Sequence, residues 1–488
     1  MHTTSLRFAL AWLFLPFLPF HAVAQELTNP SSDSAKVVST NKNEERTWFL
    51  SGSASEQYWF RYANNLELLE IDTAGELVAR RSRRSETDND LRLLLDGYLW
   101  EKTDRFAADL SMGVAYDLDG APAVGRPSSF ASANDDKGSR NWLDPYDVYS
   151  LYGEYHTPGL LALTRAGRQS SEYGRPVTFD GATAKLRLMK PYLDLAIFGG
   201  RTVHFFESGR DLFEDWLTSM AITVRPFPFL RVEIDYRYVS QDTTTRDPVK
   251  DHSYGLALWY RTSDLVRLKG YVRALNAAAS NAGGSARFEW SDIQLGIDAD
   301  IDGQLTTLRN TNESDNPYFD VLGKSLPYLR VGSSIWKKIT NRFGTYGADL
   351  GWQERLITKG ESTQLNRSYG RAYLLLEAVD IAISGPFATF VVEYNYVPNH
   401  SDLASHSLVA VGGSAGYERK PIKATVGSRY YRYKYDYYAD LRELENVRSY
   451  FGEVSYEPYK WLSICLFYAF ERFNRDIHTV KLTVSETF

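Results

Sequence analysis

From residue 230 to 238 every second side chain is large and apolar. Leu230, Val232, Ile234, Tyr236 and Tyr238 fall on one side of an extended chain, and Arg231, Glu233, Asp235 and Arg237 fall on the other. Successive side chains of a strand point to opposite faces, so this period of two predicts a strand between an apolar and a wet environment. No single face of a soluble sheet needs five large apolar residues opposite four charges. The pattern recurs at Phe106 to Tyr116, Leu193 to Gly199, Val266 to Arg273, Gly344 to Gln353, Arg371 to Ala378, Ala388 to Tyr396 and Leu462 to Phe470. The chain ends in the same way, with Val480, Leu482 and Val484 alternating with Thr479, Lys481 and Thr483 before Phe488.

The connectors alternate in length. Short ones are predicted at Lys102 to Asp104, Thr157 to Gly159, Lys190 to Pro191, Pro226 to Pro228, Thr262 to Asp264, Ile339 to Arg342, Ser384 to Pro386, Arg419 to Pro421 and Pro458 to Lys460. Longer polar ones fall between them, among them Ala63 to Asn89, Leu118 to Pro145, Thr306 to Leu326 and Ile357 to Arg367. Short periplasmic turns and long outer loops characterise transmembrane β-barrels. The expected fold is all-β: a closed antiparallel transmembrane barrel of about 22 strands, roughly 18 or 20 being the alternatives, without a plug domain. The pair near Gln304 to Arg309 is the one on which the count turns. The last strand is expected to close the ring against the first, near Trp48 to Tyr58.

The front of the chain sets the compartment. Arg7 is followed by the apolar run Phe8 to Phe20, and His21-Ala-Val-Ala24 supplies small residues for signal peptidase, so residues 1–24 read as a secretory signal. Residues 25–45 form a polar periplasmic leader too short for a plug, and the barrel occupies 46–488. After the signal no apolar run approaches the roughly 20 residues of a membrane helix.

A mean hydropathy of -0.36 with 24% charged residues would suit a soluble chain, but Tyr 33, Phe 25 and Trp 11 make it 14% aromatic. Half of each barrel strand faces water, and barrel aromatics gather at the two membrane interfaces. The formal charge of -6 becomes -7 without Arg7, which argues against a nucleic-acid partner. One cysteine, Cys465, excludes an intrachain disulfide; it is placed on the inner face as a small inert side chain.

A wide barrel without a plug encloses a channel, and its chemistry lies on the inner wall. Strand parity puts Arg92, Lys185, Arg187, Arg231, Arg237, Arg267, Lys269, Arg273, Arg330, Arg371, Lys423, Arg429 and Lys481 there. It also puts there Asp96, Asp109, Asp194, Glu233, Asp235, Asp292, Asp349, Glu377, Glu393 and Glu453. The candidate solute path comprises Arg231, Arg237, Arg267, Lys269, Arg273, Arg330, Arg371, Lys423 and Arg429. Fixed cations in an aqueous lumen concentrate anions; the alternative is that they pair across strands and stiffen the wall.

Residues 165–182, RAGRQSSEYGRPVTFDGA, carry Gly167, Arg168 and Gln169, then Tyr173 and Gly174, then Phe179, Asp180 and Gly181. This run resembles a segment of outer-membrane exporters of the alginate-export type, in which it forms a strand, an outer loop and the next strand. The resemblance implies a single-chain barrel with a basic lumen through which a polyanionic exopolysaccharide leaves the cell.

Smaller signals point elsewhere or nowhere. Asp298-Ala-Asp-Ile-Asp-Gly303 resembles the start of a calcium loop, but Arg309 stands where such a loop needs a bidentate Glu, so a hairpin turn is expected there and no metal. Arg80, Arg81, Arg83 and Arg84 are placed in the first outer loop, where they would be either a solvated run or contacts for lipopolysaccharide phosphates. His204 and His252 lack the partners of a hydrolase site, so no enzyme activity and no cofactor are expected. The leading functional expectation is a passive outer-membrane channel for export of an anionic polysaccharide. The alternatives are a general or anion-preferring diffusion porin, for small anions or oligosaccharides, and a structural sleeve around a partner protein. Expected partners are outer-membrane lipids and lipopolysaccharide, the barrel-assembly machinery, the transported solute and periplasmic export machinery.

Overall fold

The structure, a computed structural model, describes residues 48–488 apart from 72–76, 119–145, 175, 204–215, 244–245, 264, 308–325, 360–367, 398–405, 436–442 and 473–475. The expected signal and leader, most of the Leu118 to Pro145 loop and His204 lie outside the described residues. The strands are β1 (Trp48–Ile71), β2 (Leu77–Glu101), β3 (Phe106–Asp117), β4 (Tyr146–His156), β5 (Leu161–Ser170), β6 (Thr178–Met189), β7 (Leu193–Thr202) and β8 (Trp216–Phe227). They continue with β9 (Leu230–Thr243), β10 (Arg246–Arg261), β11 (Val266–Leu275), β12 (Ala278–Trp290), β13 (Leu295–Gln304), β14 (Tyr328–Asn341) and β15 (Gly344–Ile357). The rest are β16 (Tyr369–Val379), β17 (Pro386–Val397), β18 (His406–Arg419), β19 (Ile422–Tyr435), β20 (Glu443–Tyr459), β21 (Leu462–Arg472) and β22 (Asp476–Thr487).

Each strand pairs antiparallel with its chain neighbours, and β1 pairs with β22 from Ser53↔Thr487 to Asn64↔Asp476. The sheet is therefore a closed 22-stranded barrel, as the alternation predicts. Closure matters because an open sheet edge would leave amides unsatisfied in hydrocarbon. At the seam Gly52 N donates to Phe488 O (2.9 Å) and Phe488 N donates to Gly52 O (3.0 Å).

Parity separates the two faces. On β9 the Ile234 side is 52% exposed to the outside, while the neighbouring Glu233 and Asp235 are buried within the inner wall. Leu151, Met220, Leu256, Leu258, Val272, Leu350, Phe390, Val426 and Leu466 continue the outer apolar surface. Such a surface needs lipid, and with it the architecture is that of an outer-membrane barrel. Among the described residues no helix is long and apolar enough to cross a membrane.

Four expectations change. Ala63 to Asn89 is not a loop: β1 and β2 stay paired to Ile71↔Leu77, beyond the last pairs with β22 (Asn64↔Asp476) and β3 (Asp90↔Asp117). The hairpin satisfies its own backbone there, so the lipid alternation lapses without ending the strands. Arg80, Arg81, Arg83 and Arg84 therefore belong to β2. Asp298 to Gly303 is not a hairpin turn but the middle of β13; the turn is the single 3₁₀ turn Ser291–Ile293. Asp292 accordingly sits in that turn and not in the wall. The pair in doubt near Gln304 is secured by residues before it, and the Ile339 to Arg342 turn falls later, between Asn341 and Gly344.

Candidate functional site

The inner face is built from alternate residues of every strand, and cross-strand register decides which of them meet. One sector, on β4 to β11, is densely packed. Glu154 on β4 accepts from Arg165 Nε and Nη2 on β5 (3.0 and 2.8 Å). Asp194 on β7 accepts from Arg225 Nη1 on β8 (2.8 Å), Glu233 accepts from Arg231 Nη2 (2.6 Å), and Asp235 faces Arg273 Nη1 (3.4 Å). The carboxylates of Glu233 and Asp235 are 4% and 3% exposed. A carboxylate so deep is tolerated because a guanidinium faces it.

What covers them is the connection between β5 and β6, which folds inward along the wall. Arg237 Nη2 donates to Ser171 Oγ (3.2 Å) and to Tyr173 O (3.1 Å), and Gly174 N donates to Glu233 Oε1 (3.2 Å). Tyr173 packs with Phe179, Phe198, Leu217, Ala221 and Val239. Its phenol pKa is pushed up to about 12, first by burial and then by the neighbouring Glu172 carboxylate. Gly174 has φ +70, and a Cβ there would lie 2.7 Å from Asp235 Oδ1, so the position requires glycine.

The 165–182 run supplies β5, the connection and β6, and its residues divide between the covered inner network and the outer face. Arg168 grips Asp180 with two bonds (Nε to Oδ1 and Nη2 to Oδ2, both 2.8 Å), directly across β5 and β6. Arg168 also pairs with Leu151, which is 54% exposed on the outside, so this ion pair lies on the outward parity. Gln169 is fully buried on the inner side and donates to Gly181 O (3.2 Å). Gly167, at φ +123, lets Leu151 O and the Tyr152 backbone approach. Gly167, Arg168, Gln169, Tyr173, Gly174, Phe179, Asp180 and Gly181 thus each have a structural task in shaping the hairpin or seating its tip.

The second kind of wall is open and aromatic. Arg231 Cζ lies 4.7 Å and Lys269 Nζ 5.8 Å from the Trp259 ring centre. Lys481 Nζ and Arg92 Cζ stand 4.7 and 5.6 Å from Trp59. Arg355 lies 4.2 Å from Tyr328, Arg371 5.5 Å from Tyr373, and Lys423 5.8 Å from Phe387. Tyr373 and Trp336 lie over Gly351 and Gly296 of adjacent strands, which flattens them against the wall. On β13, Asp298, Asp300 and Asp302 share the inner parity; Asp302 accepts from Tyr328 Oη (2.9 Å) and faces Arg330 Nη2 (3.5 Å).

All nine candidate path residues lie on the inward parity, but they are not equivalent. Arg237 and Arg273 are 9% exposed and bound into the covered network. Arg231 binds Glu233, Arg330 faces Asp300 and Asp302, Arg371 donates to Glu393 (2.9 Å), and Lys423 meets Glu418 (2.9 Å). Arg267, Lys269 and Arg429 complete the set across β11 and β19. Sequence reasoning omitted the aromatic partners Trp59, Trp259 and Tyr328, and the cations Arg225, Arg261 and Arg287. Their signal was register: Trp259 stands opposite Arg231 on one side and Lys269 on the other. Cys465 is a free thiol opposite Thr483, on the inner side as expected. His252 instead stacks outside against Tyr236 and Tyr238, its Nδ1 3.0 Å from Tyr236 Oη.

No protein-family model and no curated protein matches the chain. Among solved structures, a BenF-like porin from Pseudomonas fluorescens Pf-5 aligns over 90% of this chain and 98% of its own, with 11% identity and a TM-score of 0.43. OpdK of Pseudomonas aeruginosa, solved with vanillate, covers 89% and 98% with 11% identity and a TM-score of 0.37. The PapC usher translocation pore of the P pilus covers 89% and 100% with 8% identity and a TM-score of 0.47. At such values these likenesses say nothing about cargo. What assigns the chain to the outer-membrane β-barrels is its own closed ring of 22 strands with an apolar exterior and a charged interior.

Proposed function

We propose that the protein is a passive channel for anionic solutes, and that its cargo is a secreted anionic polysaccharide. The observation that supports this reading is the repeated placement of a cation beside an inward aromatic ring at Trp59, Trp259, Tyr328, Tyr373 and Phe387, spread around the wall. Ring faces stack on sugar rings, while ammonium and guanidinium groups attract carboxylates. Many weak sites let a polymer move from one to the next without being held. The inward connection also fits, because its residues Tyr173, Gly174 and Val177 lie along β7 to β9. The same connection favours a second reading, a porin for small anions, since it narrows the bore on one side.

Reconstitution in a planar bilayer tests both. An anion-directed reversal potential in a salt gradient, with current interrupted by polyuronate and not by neutral glycan, is the expected result. Interruption by small anions alone would select the porin reading. Cation preference with no interruption by any polyanion would overturn both. In cells, deletion of the gene should leave the polymer in the periplasm.

A further inference from the structure

At the short-turn end of β12 to β16 the inner wall holds a recess of about 400 Å³. Its centre is one cross-strand row, Glu289, Gly296, Trp336, Asp349 and Leu375 on successive strands. Gly296 is buried, and a Cβ built on it would collide with Trp336, so the indole lies flat over the glycine and turns its other face to the lumen. Barrel aromatics that serve the membrane interfaces stand on the outer face; this one is a platform on the wet side. Polar groups surround it. In the adjoining row Lys338 and Glu377 flank Gly347, where a Cβ would meet Glu377 Oε2 at 3.5 Å and Lys338 Cγ at 3.8 Å, so the absent side chain leaves a gap between them. On the far side Arg287 lies between Glu289 (3.4 Å) and Asp298 (3.6 Å). Tyr373 Oη reaches Asp349 at 3.5 Å. Among the described residues, neither Asp349 nor Glu377 has a cation within ion-pair distance.

We infer that this recess is a sugar-binding subsite, which takes a pyranose ring with vicinal hydroxyls at the short-turn mouth. The inference rests on the channel reading and adds to it that the wall reads the ring and hydroxyls of the solute as well as its charge. Three features carry it. The indole is flat and apolar, the shape on which the C–H face of a sugar stacks. Ionised carboxylates only accept, and their bonds from hydroxyls are charge-assisted, so Asp349 and Glu377 suit adjacent hydroxyl groups of one ring. Of the charged side chains that line the recess on the inward parity, three are acidic (Glu289, Asp349, Glu377) and two basic (Arg287, Lys338). Such a rim does not gather anions by charge, and what it offers a solute is stacking and hydrogen bonds. Its volume falls within the range of small-ligand pockets.

The test is calorimetric titration of the full-length protein in detergent micelles with maltotriose and cellotriose, neutral probes that the cations elsewhere in the lumen do not attract. A trisaccharide against one wall of a 22-stranded ring leaves most of the bore open, so binding is measured directly and not from current. Wild type should bind at least one of the two. Trp336→Leu should weaken that binding about tenfold, and Trp336→Phe should restore most of it. D349A/E377A should weaken it about tenfold as well, because two hydroxyls lose charged acceptors; if these carboxylates served only to set ion selectivity, a neutral sugar would not register their loss. Heat-modifiable gel migration confirms that each variant has folded. Binding of neither probe by wild type, or binding unchanged in Trp336→Leu and D349A/E377A, would overturn the subsite. If that happens while wild type in bilayers is anion-selective and interrupted by polyuronate, the channel reading stands without it. If the sugar binds as expected but wild type shows no anion preference, the subsite stands and the anion-channel reading fails.

Discussion

Two parts of the inner wall use the same residue types to opposite ends. Under the connection between β5 and β6, Glu233, Asp235, Arg237 and Arg273 are covered by Tyr173 and Gly174 and have lost their water. On β13 to β17, Arg330 with Asp300 and Arg371 with Glu393 face an open lumen, with Arg330 and Arg371 39% and 42% exposed. Parity is identical in both places, so parity alone does not decide what a charged residue does. Cover decides it. A covered ion pair is part of the scaffold, because removing one partner strands the other in a low dielectric, whereas an open pair is screened and free to exchange with solute.

The comparison can be broken in four ways. Arg273→Ala leaves the Asp235 carboxylate without the guanidinium that faces it, and should cost about 3 kcal/mol in unfolding from detergent micelles. If the loss matched that of an open-wall variant, the distinction would be void. Next is Gly174→Ala, which sets a Cβ against Asp235 and asks alanine for a left-handed backbone; about 2 kcal/mol is expected, with faster proteolysis within residues 171–177.

Third is a pH effect. Tyr173 is raised to about 12 in the folded chain from a usual value of 10.0, so its contribution is complete below about 10 and is lost as pH climbs from there through about 12. The gel-shift melting temperature of wild type should fall more steeply over that window than that of Tyr173→Phe, and equal slopes would refute the burial. The smallest effect belongs to Arg371→Gln, with a stability change within about 1 kcal/mol and a measurable drop in anion preference.

Much of the barrel could be read from the chain because each membrane strand repeats the same decision, apolar out and polar in, and short turns punctuate it. The reading failed where that decision was absent or imitated. Residues 65–71 and 77–88 run past the pairing with β22 and β3 as a self-paired ribbon, so no lipid face imposes alternation. In β13 the sequence Asp298-Ala-Asp-Ile-Asp was mistaken for turn chemistry, yet Ala299 and Ile301 mark the outer face and the aspartates the inner one. Inward cations were identified, but which ones lie covered was not, since Gly174 meets Glu233 across 59 positions of chain. Gly167, Arg168, Gln169, Tyr173, Gly174, Phe179, Asp180 and Gly181 carry the resemblance to exporters, and the packing gives each of these eight a local structural reason. The indole of Trp259 becomes legible only with the register, which sets it between Arg231 and Lys269 on neighbouring strands.

The seam between β1 and β22 has a consequence in time. Ser55 and Ser485, which share a hydrogen bond of 3.2 Å, are 430 positions apart. Until β22 has been synthesised and laid beside β1, the sheet carries two raw edges, each a row of donors and acceptors ready to recruit another chain. Neighbour-to-neighbour pairing can proceed hairpin by hairpin, but the last join has the largest loop to close and comes with no partial version of itself. Insertion is therefore a latch: an unlatched sheet has no tolerable home in the bilayer, and a latched one has no edge from which to unravel.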